Sequence, residues 1–319
     1  MEDRSGSLVF ESTTTTRFTW DYEAKADKLR ALYEKGKAAQ WNALTDIDWS
    51  AELRYGAPLP ETAASAAQLR SPDCPVPPEL WNDYRWEYHC WMTSQFLHGE
   101  QGALLATSRL VQIVPNIDDK LYAASQVADE ARHVEAFSMY LQRLGRSYPI
   151  NPALRSLLFQ VVADNRWDIV YLGMQVIVEG LALAVFRFGQ ASAFDPVIQQ
   201  ITELVARDEA RHVAFGVLAL QGSYDELTSA ERAERTDFLK EASLLMSRRF
   251  QLEEIWERMD LDVAAGIRYA RSDPTMVDFR RALFAKIVSI IQKLGLLTPD
   301  VRTHLEELSL LRPSAGVRR

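Results

Sequence analysis

Cysteine is nearly missing from this chain. Its 319 residues hold two, Cys74 and Cys90, too few for a disulfide framework. Positive charge is also in deficit, with 36 Lys and Arg against 44 Asp and Glu and a net charge of −8. That balance argues against nucleic acid as a partner, because phosphate binding needs a basic surface. The first residues show no charged-then-apolar leader, so a cytoplasmic location is expected. No long apolar run is free of charge: Trp167 to Phe188 comes closest, but Asp168 and Glu179 interrupt it. A buried central helix is therefore expected there, and no membrane partner. No segment reads convincingly as a strand, and 47% hydrophobic residues suffice for a packed helical core.

What the chain does have is a repeat. The hexapeptide Asp129-Glu130-Ala131-Arg132-His133-Val134 returns letter for letter as Asp208-Glu209-Ala210-Arg211-His212-Val213. Residues three apart share a helix face, so Glu130 with His133, and Glu209 with His212, each offer an oxygen and an imidazole nitrogen to one point. Thirty residues before each copy stands a further glutamate in an apolar helical segment, Glu100 in QFLHGEQGALLATSRLV and Glu179 in YLGMQVIVEGLALAVF. All three positions recur at an offset of 79 residues.

Turn signals near the middle of each interval, Pro115-Asn116 and Asp195-Pro196, make each a helical hairpin. The paired glutamates then lie at one level, about 22 Å from their turn at ~1.5 Å per residue. The longer stretch between His133 and Glu179 allows a crossover that sets the second hairpin antiparallel to the first. Four glutamates and two histidines converge, a donor set suited to two first-row divalent ions, iron or manganese.

Around this centre the expected organisation is an N-terminal flexible arm over 1–19, one helical domain over 20–311 and a tail over 312–319. A first helix should run from near Asp21 to Asn42. A loop-rich stretch through Pro58, Pro60, Pro72, Pro75 and Pro77 follows, and the Glu100 helix should begin near Leu80. The Glu130 helix should stop at Gly145, and a short helix near Ala153 to Asp164 belongs to the crossover. Beyond Gly222, helices are expected over about Ala230 to Met259, Thr275 to Leu294 and Pro299 to Leu311.

Asp129 and Asp208 precede the ligand glutamates, and a metal-bound imidazole usually donates its other N–H to a carboxylate. The two-fold relation predicts Asp208 against His133 and Asp129 against His212. Arg132 and Arg211 are expected to compensate the buried glutamates, since unpaired buried carboxylates are costly. One turn from the ligands lie Phe96, Leu97, Ala103, Leu104, Phe137, Gln175, Ala182, Leu183, Phe186 and Phe215, the expected lining of any substrate cavity.

The six-ligand pattern resembles the ferritin-like superfamily of O2-activating di-iron proteins, over roughly Trp20 to Leu220. The resemblance implies an all-α fold: a ferritin-like four-helix bundle with a long crossover, plus additional N- and C-terminal helices. The segment ARDEARHVAFG is similar to the ribonucleotide reductase small subunit, and WNALTDIDWS to that family's tryptophan-bearing entry to the bundle. By that likeness Trp41 would stand behind Asp208 and His133 as an electron route. The reductase's radical-bearing tyrosine falls on Phe137, so a tyrosyl-radical role is not expected. The p-aminobenzoate N-oxygenases are similar in length and ligand pattern, but their further histidine falls on Val205. The cross-linked Val and Tyr of the related ligand-binding oxidases fall on Ala103 and Met174.

What the resemblance implies is an enzyme: an O2-dependent oxygenase or oxidase with two Fe ions, Mn or mixed Mn/Fe being the variants. It would hydroxylate, N-oxygenate or desaturate a small, mainly apolar or aromatic molecule. An external electron donor, a reductase or ferredoxin, and a homodimeric assembly are expected. Two alternatives stay open at this point, a ferroxidase or metal-storage protein and a radical generator for a larger partner.

Overall fold

The computed structural model describes residues 9, 11–23, 25–52, 54–59, 71–190 and 195–313, with backbone alone at 188–190. Among these residues there is helix and no strand. Of the expected arm, 1–8 and 10 lie outside the described residues, as do 60–70 and, in the tail, 314–319.

Four long elements make the core: α2 (Trp81–Ile113), α3 (Ile117–Leu144), α6 (Glu179–Gln190) with the segment that feeds it, and α7 (Pro196–Leu220). α2 packs along α3 and α6 along α7, and the two hairpins meet through α3 and α7. Their ends follow from local chemistry. Gly145 stops α3 at φ 65°, a left-handed geometry that costs glycine little. Asp195 accepts hydrogen bonds from the backbone N–H groups of Val197 and Ile198, and Pro196 opens α7 without losing a needed donor. α4 (Pro152–Ala163), capped by Asn151, is the crossover helix and packs against α2.

The apolar run enters as α5 (Trp167–Tyr171) and continues through a π-helical segment, Leu172–Val178, into α6 at Glu179. Trp167–Arg187 has the length and mean hydropathy, 2.0, of a membrane-crossing helix, yet 83% of its most apolar window is buried inside the protein. Two glycines let neighbours reach the π segment. A Cβ on Gly173 would come 2.4 Å from Val161 Cγ2 and 2.8 Å from Phe238 Cζ, and one on Gly216 of α7 would come 2.5 Å from Gln175 Cβ.

The outer helices differ from expectation in their bounds. α1 spans Asp27–Ala38 rather than Asp21 to Asn42. Asp118 of α3 accepts from the backbone N–H of Lys25 (2.9 Å) and Ala26 (3.1 Å) and pairs with Arg30 (2.8 Å), which fixes where the helix begins. Residues 12–19 run along the bundle, where Arg109 donates to Thr13 O and Thr14 Oγ1 and Arg17 N–H donates to Gln112 O (2.8 Å). The expected Ala230–Met259 helix is two, α8 (Ser229–Arg249) and α9 (Glu253–Arg258), broken where Leu252 takes φ 60°. α10 (Val263–Ser272) lies in a stretch where no helix is predicted. α11 (Pro274–Lys293) backs α6, and α12 (Pro299–Glu307) closes on α8.

Candidate metal centre

Glu100 comes from α2, Glu130 and His133 from α3, Glu179 from the start of α6, and Glu209 and His212 from α7. All six are buried at 4% exposure or less. One atom each from Glu100, Glu130, His133 and Glu209 lie within 4.8 Å of one another, and a second group of Glu130, Glu179 and His212 meets the same limit. Glu130 belongs to both groups, so two adjacent ion positions share it.

The histidines are oriented by what their far nitrogens meet. His133 Nε2 donates to Asp208 Oδ2 (3.1 Å), and His212 Nε2 donates to Asp129 Oδ2 (3.2 Å). Each aspartate therefore holds the imidazole of the other hairpin and turns its Nδ1 lone pair toward the glutamates. His133 Nδ1 lies 3.2 Å from Glu100 and 3.4 Å from Glu130, and His212 Nδ1 lies 3.2 Å from Glu130.

Arg132 and Arg211 bond the aspartates, not the glutamates. Arg132 Nη2 pairs with Asp129 and stands 3.6 Å from Asp208; Arg211 Nη2 pairs with Asp208 and stands 3.7 Å from Asp129. The expectation that they neutralise the glutamates is corrected: an arginine at i+3 from an aspartate stays on the outer side of the helix, whereas the glutamates face inward. Trp41 donates its indole N–H to Asp208 Oδ2 (2.8 Å) and stacks on His133 with ring centroids 6.1 Å apart. Gln40, one residue earlier, donates to Asp129 Oδ1 (3.1 Å).

Burial pushes the Glu100 and Glu179 carboxyls well above their usual range, with Glu209 repelling both. Burial acts the same way on Glu130, but His212 and His133 outweigh it and hold it well below that range. For His133 and His212 burial works against the charge, yet Glu100 and Glu130 respectively lead the groups that raise both imidazoles. Hydrogen bonding among these groups is incomplete: Glu130 Oε2, Glu179 Oε2, both oxygens of Glu209 and His212 Nδ1 are buried without a partner. Buried polar atoms are rarely left so. Inward lone pairs on carboxylates and imidazoles fit hard-to-borderline divalent ions.

Sequence reasoning missed Gln126. Its amide donates to Glu130 Oε1 and Glu179 Oε1, each at 2.9 Å, clamping one carboxylate from each hairpin. The signal was an amide one turn before the ligand glutamate, in YAASQVADEA.

A small cavity of about 20 Å³, room for a water or so, adjoins the cluster, lined by Gln95, Phe96, Glu100, Ala103, Ala182 and Arg249 among others. Of the ten expected lining residues, Phe96, Ala103 and Ala182 reach it, and the rest are corrected. Phe137 and Phe186 form a second layer behind Phe96, at centroid distances of 5.7 and 4.6 Å. Phe215 packs against Tyr122 (4.1 Å) and Tyr171 (5.0 Å). Gln175 packs its Cβ against Gly216 across the π segment, its amide buried without a hydrogen-bond partner. Leu97, Leu104 and Leu183 each sit one residue past a lining position, or next to one, and that rotates a side chain by about 100° on a helix of 3.6 residues per turn.

The family model of p-aminobenzoate N-oxygenase AurF matches residues 108–295, which include five of the six metal-facing residues and leave Glu100 just outside. The chain belongs to that family. Within this AurF-family chain the place of the further N-oxygenase histidine is Val205, fully buried among apolar neighbours. Among solved structures it is similar to a Synechococcus protein with aldehyde deformylating oxidase activity, at 20% identity and a TM-score of 0.51, over 70% of this chain and 96% of the other. It is also similar to the R2-like ligand-binding oxidase of Sulfolobus acidocaldarius, at 18% identity and a TM-score of 0.50, over 83% and 90%. These two likenesses carry the ferritin-like fold. No curated protein matches. Family, fold and cluster together make the AurF-family chain an oxidoreductase, an oxygenase or oxidase that acts on a small substrate with O2 at a two-metal carboxylate site.

Proposed function

We propose that this protein is a di-iron oxygenase that N-oxygenates or hydroxylates a small, mainly apolar or aromatic molecule in the cytoplasm. The observation that carries the reading is the cluster of four buried carboxylates and two imidazoles with unpartnered inward atoms beside a small cavity. Glu100, Glu130, Glu179, Glu209, His133 and His212 would hold the ions, Glu130 between them. Bound iron would supply the electrons and the O2-binding sites; manganese at one position is the variant to exclude.

The chain's own residues do the rest. Asp208 and Asp129 hold protons on the Nε2 atoms of His133 and His212, so both Nδ1 atoms stay free to ligate. Phe96, Phe137 and Phe186 keep water from the cavity side of the cluster, which protects a reactive oxygen species until the substrate is in place. Trp41, hydrogen-bonded to Asp208 and stacked on His133, gives an external electron donor a route inward. Phe18, Trp20 and Tyr22 are exposed at 70%, 83% and 64%, an apolar surface that supports a homodimer.

The test loads the protein anaerobically with ferrous ion, counts metal, and offers O2 with a panel of aromatic amines that includes p-aminobenzoate. Two ions per chain and oxygenated product in step with O2 consumed are expected. Many ferrous ions oxidised per site, with ferric mineral shed and no organic product, would replace the reading with a ferroxidase. The radical-generator reading is opposed by Phe137, buried where the reductase tyrosine would be. No tyrosyl signal in electron paramagnetic resonance is expected after O2 exposure, and a near-stoichiometric one would revive it.

A further inference from the structure

A second pocket, of about 660 Å³, opens where α4, α8, α10, α11 and α12 come together, and it shares no lining residue with the small cavity beside the metal centre. That volume is in the range of small-molecule sites. Ala153 and Arg248 face this pocket, whereas their chain neighbours Leu154 and Arg249 face the metal side, so a layer of side chains separates the two spaces. The proposed oxygenation makes no use of it.

Three guanidiniums line it, each from a different helix: Arg248 in the last turn of α8, Arg271 in the last turn of α10 and Arg280 in α11. Arg280 is 4% exposed and fixed in place. Its Nη1 donates to Ala270 O and its Nη2 to Arg271 O (2.7 Å), satisfying two of the last carbonyls of α10, while Nε is buried without a partner. Burial first, then repulsion from Arg281 and Arg271, lowers its pKa to about 10, so it is charged at neutral pH with Arg271 close by. Arg248 and Arg271 are exposed, and neither guanidinium has an ion pair or hydrogen bond among the described residues. Three cations on one pocket, two of them with their donor forks uncommitted, favour an anion between them.

The rest of the lining says what kind of anion. A carboxylate is filled by one guanidinium fork, whereas a phosphate carries three strong acceptor oxygens and takes several. Glu253 and Glu307 also face the pocket, and neither pairs with these arginines. Two carboxylates oppose a ligand that is anionic throughout, but they accept from hydroxyl groups, as an acidic side chain does from a ribose in dinucleotide sites. Ser247, Ser309 and Gln251 add hydroxyl and amide groups whose side chains have no hydrogen-bond partner among the described residues. Forks for a phosphate beside acceptors for hydroxyls describe the recognition of a phosphorylated sugar.

We propose that this pocket binds a phosphorylated sugar unit, that of a nucleotide or of a sugar phosphate, with Arg248, Arg271 and Arg280 on the phosphate and Glu253 and Glu307 on the hydroxyls. The site is separate from the metal centre, and the inference does not depend on the oxygenase reading.

The test is calorimetric titration of the full-length protein at one fixed ionic strength, since salt screens exposed charges, with two probe pairs: AMP against adenosine, and glucose 6-phosphate against glucose. At least one phosphorylated probe should bind tenfold or more tighter than its unphosphorylated partner. A preference led by AMP assigns the pocket to a nucleotide, and one led by glucose 6-phosphate to a sugar phosphate. Arg248→Gln and Arg271→Gln change exposed residues, should melt as wild type does, and should each weaken the preferred probe tenfold or more. Glu307→Gln should weaken that probe threefold or more without weakening inorganic phosphate. Glu130→Ala, which strips the metal centre, should bind the probe as wild type does. The proposal is overturned if neither phosphorylated probe is preferred, if either arginine variant keeps the full preference, or if inorganic phosphate binds as tightly as both probes. It is overturned equally if binding disappears in Glu130→Ala, because the phosphate would then sit on the ions.

Discussion

The two hairpins carry the same hexapeptide and the same upstream glutamate, yet they are not two equal halves. At the offset that relates the ligands, Gln126 faces Val205, Phe96 and Phe137 face Gln175 and Gly216, and the α-helical turn before Glu100 faces a π-helical segment before Glu179. In the first hairpin the paired aromatics fill space beside the cluster, with ring centroids 5.7 Å apart. In the second, the glycine lets Gln175 and the π segment close onto α7. The aspartates differ in the same way, Asp208 receiving Trp41 and Asp129 receiving Gln40. The repeat supplies the ligands, yet the two groups that could hold an ion are unequal, one drawing on four side chains and the other on three.

The largest effect should come from the shared ligand. Glu130→Ala removes a carboxylate from both ion positions and should abolish two-ion binding, whereas Glu179→Ala, confined to one position, should leave about one ion per chain; metal analysis after anaerobic ferrous loading decides. Equal loss in both variants would remove the asymmetry.

Packing gives the next contrast. Phe137→Ala should cost about 3–5 kcal/mol of stability, the usual range for deleting a fully buried phenyl ring. Its partner change Gly216→Ala should cost about 1–3 kcal/mol, because the new methyl meets Gln175 and the packed π segment has to give. Denaturant unfolding of the metal-free proteins orders them, and a larger cost at Gly216 would make the second hairpin the tighter half.

Smaller, and more specific, is the effect of the aspartates. Asp208→Asn and Asp129→Asn should each weaken ferrous binding about 10–100-fold, the range for outer partners of metal-bound imidazoles. Only Asp208→Asn should also slow reduction of the ferric protein by an external donor, since only Asp208 is bonded to Trp41; stopped-flow reduction separates the two. Equal slowing would take Trp41 out of the electron route.

The smallest change expected is at Gln126. Gln126→Leu keeps the volume but releases Glu130 and Glu179, and it should weaken one of the two ions roughly tenfold, the low end for an outer partner. A ferrous titration with two resolved affinities measures it. If both affinities fall together, the clamp serves the cluster as a whole.

The sequence by itself determined the repeat, and through helical spacing the repeat determined which six side chains could meet. Identical spacing in both halves leaves little freedom: with Glu and His three apart on one face and the upstream glutamates at equal distance from their turns, antiparallel packing puts all six at one level. The same logic reached the cross-paired aspartates, since a two-fold arrangement places each beside the other hairpin's histidine. Periodicity also placed the long helices, because apolar stripes of that length have no other stable use in a chain of this composition.

What only the tertiary structure decided depends on neighbours that sequence spacing does not order. The start of α1 was set by Asp118, far away in the chain, and the break between α8 and α9 by a backbone turn at Leu252 that no glycine announces. The π segment shifts the facing of Gln175, and α-helical periodicity has no term for an inserted residue. The cavity wall drew Leu154 from α4 and Arg249 from α8, elements outside the ligand-bearing helices. Ligands obey a local period, so they could be read from the chain. The pocket is made where several helices happen to meet, so it could only be seen once they had packed.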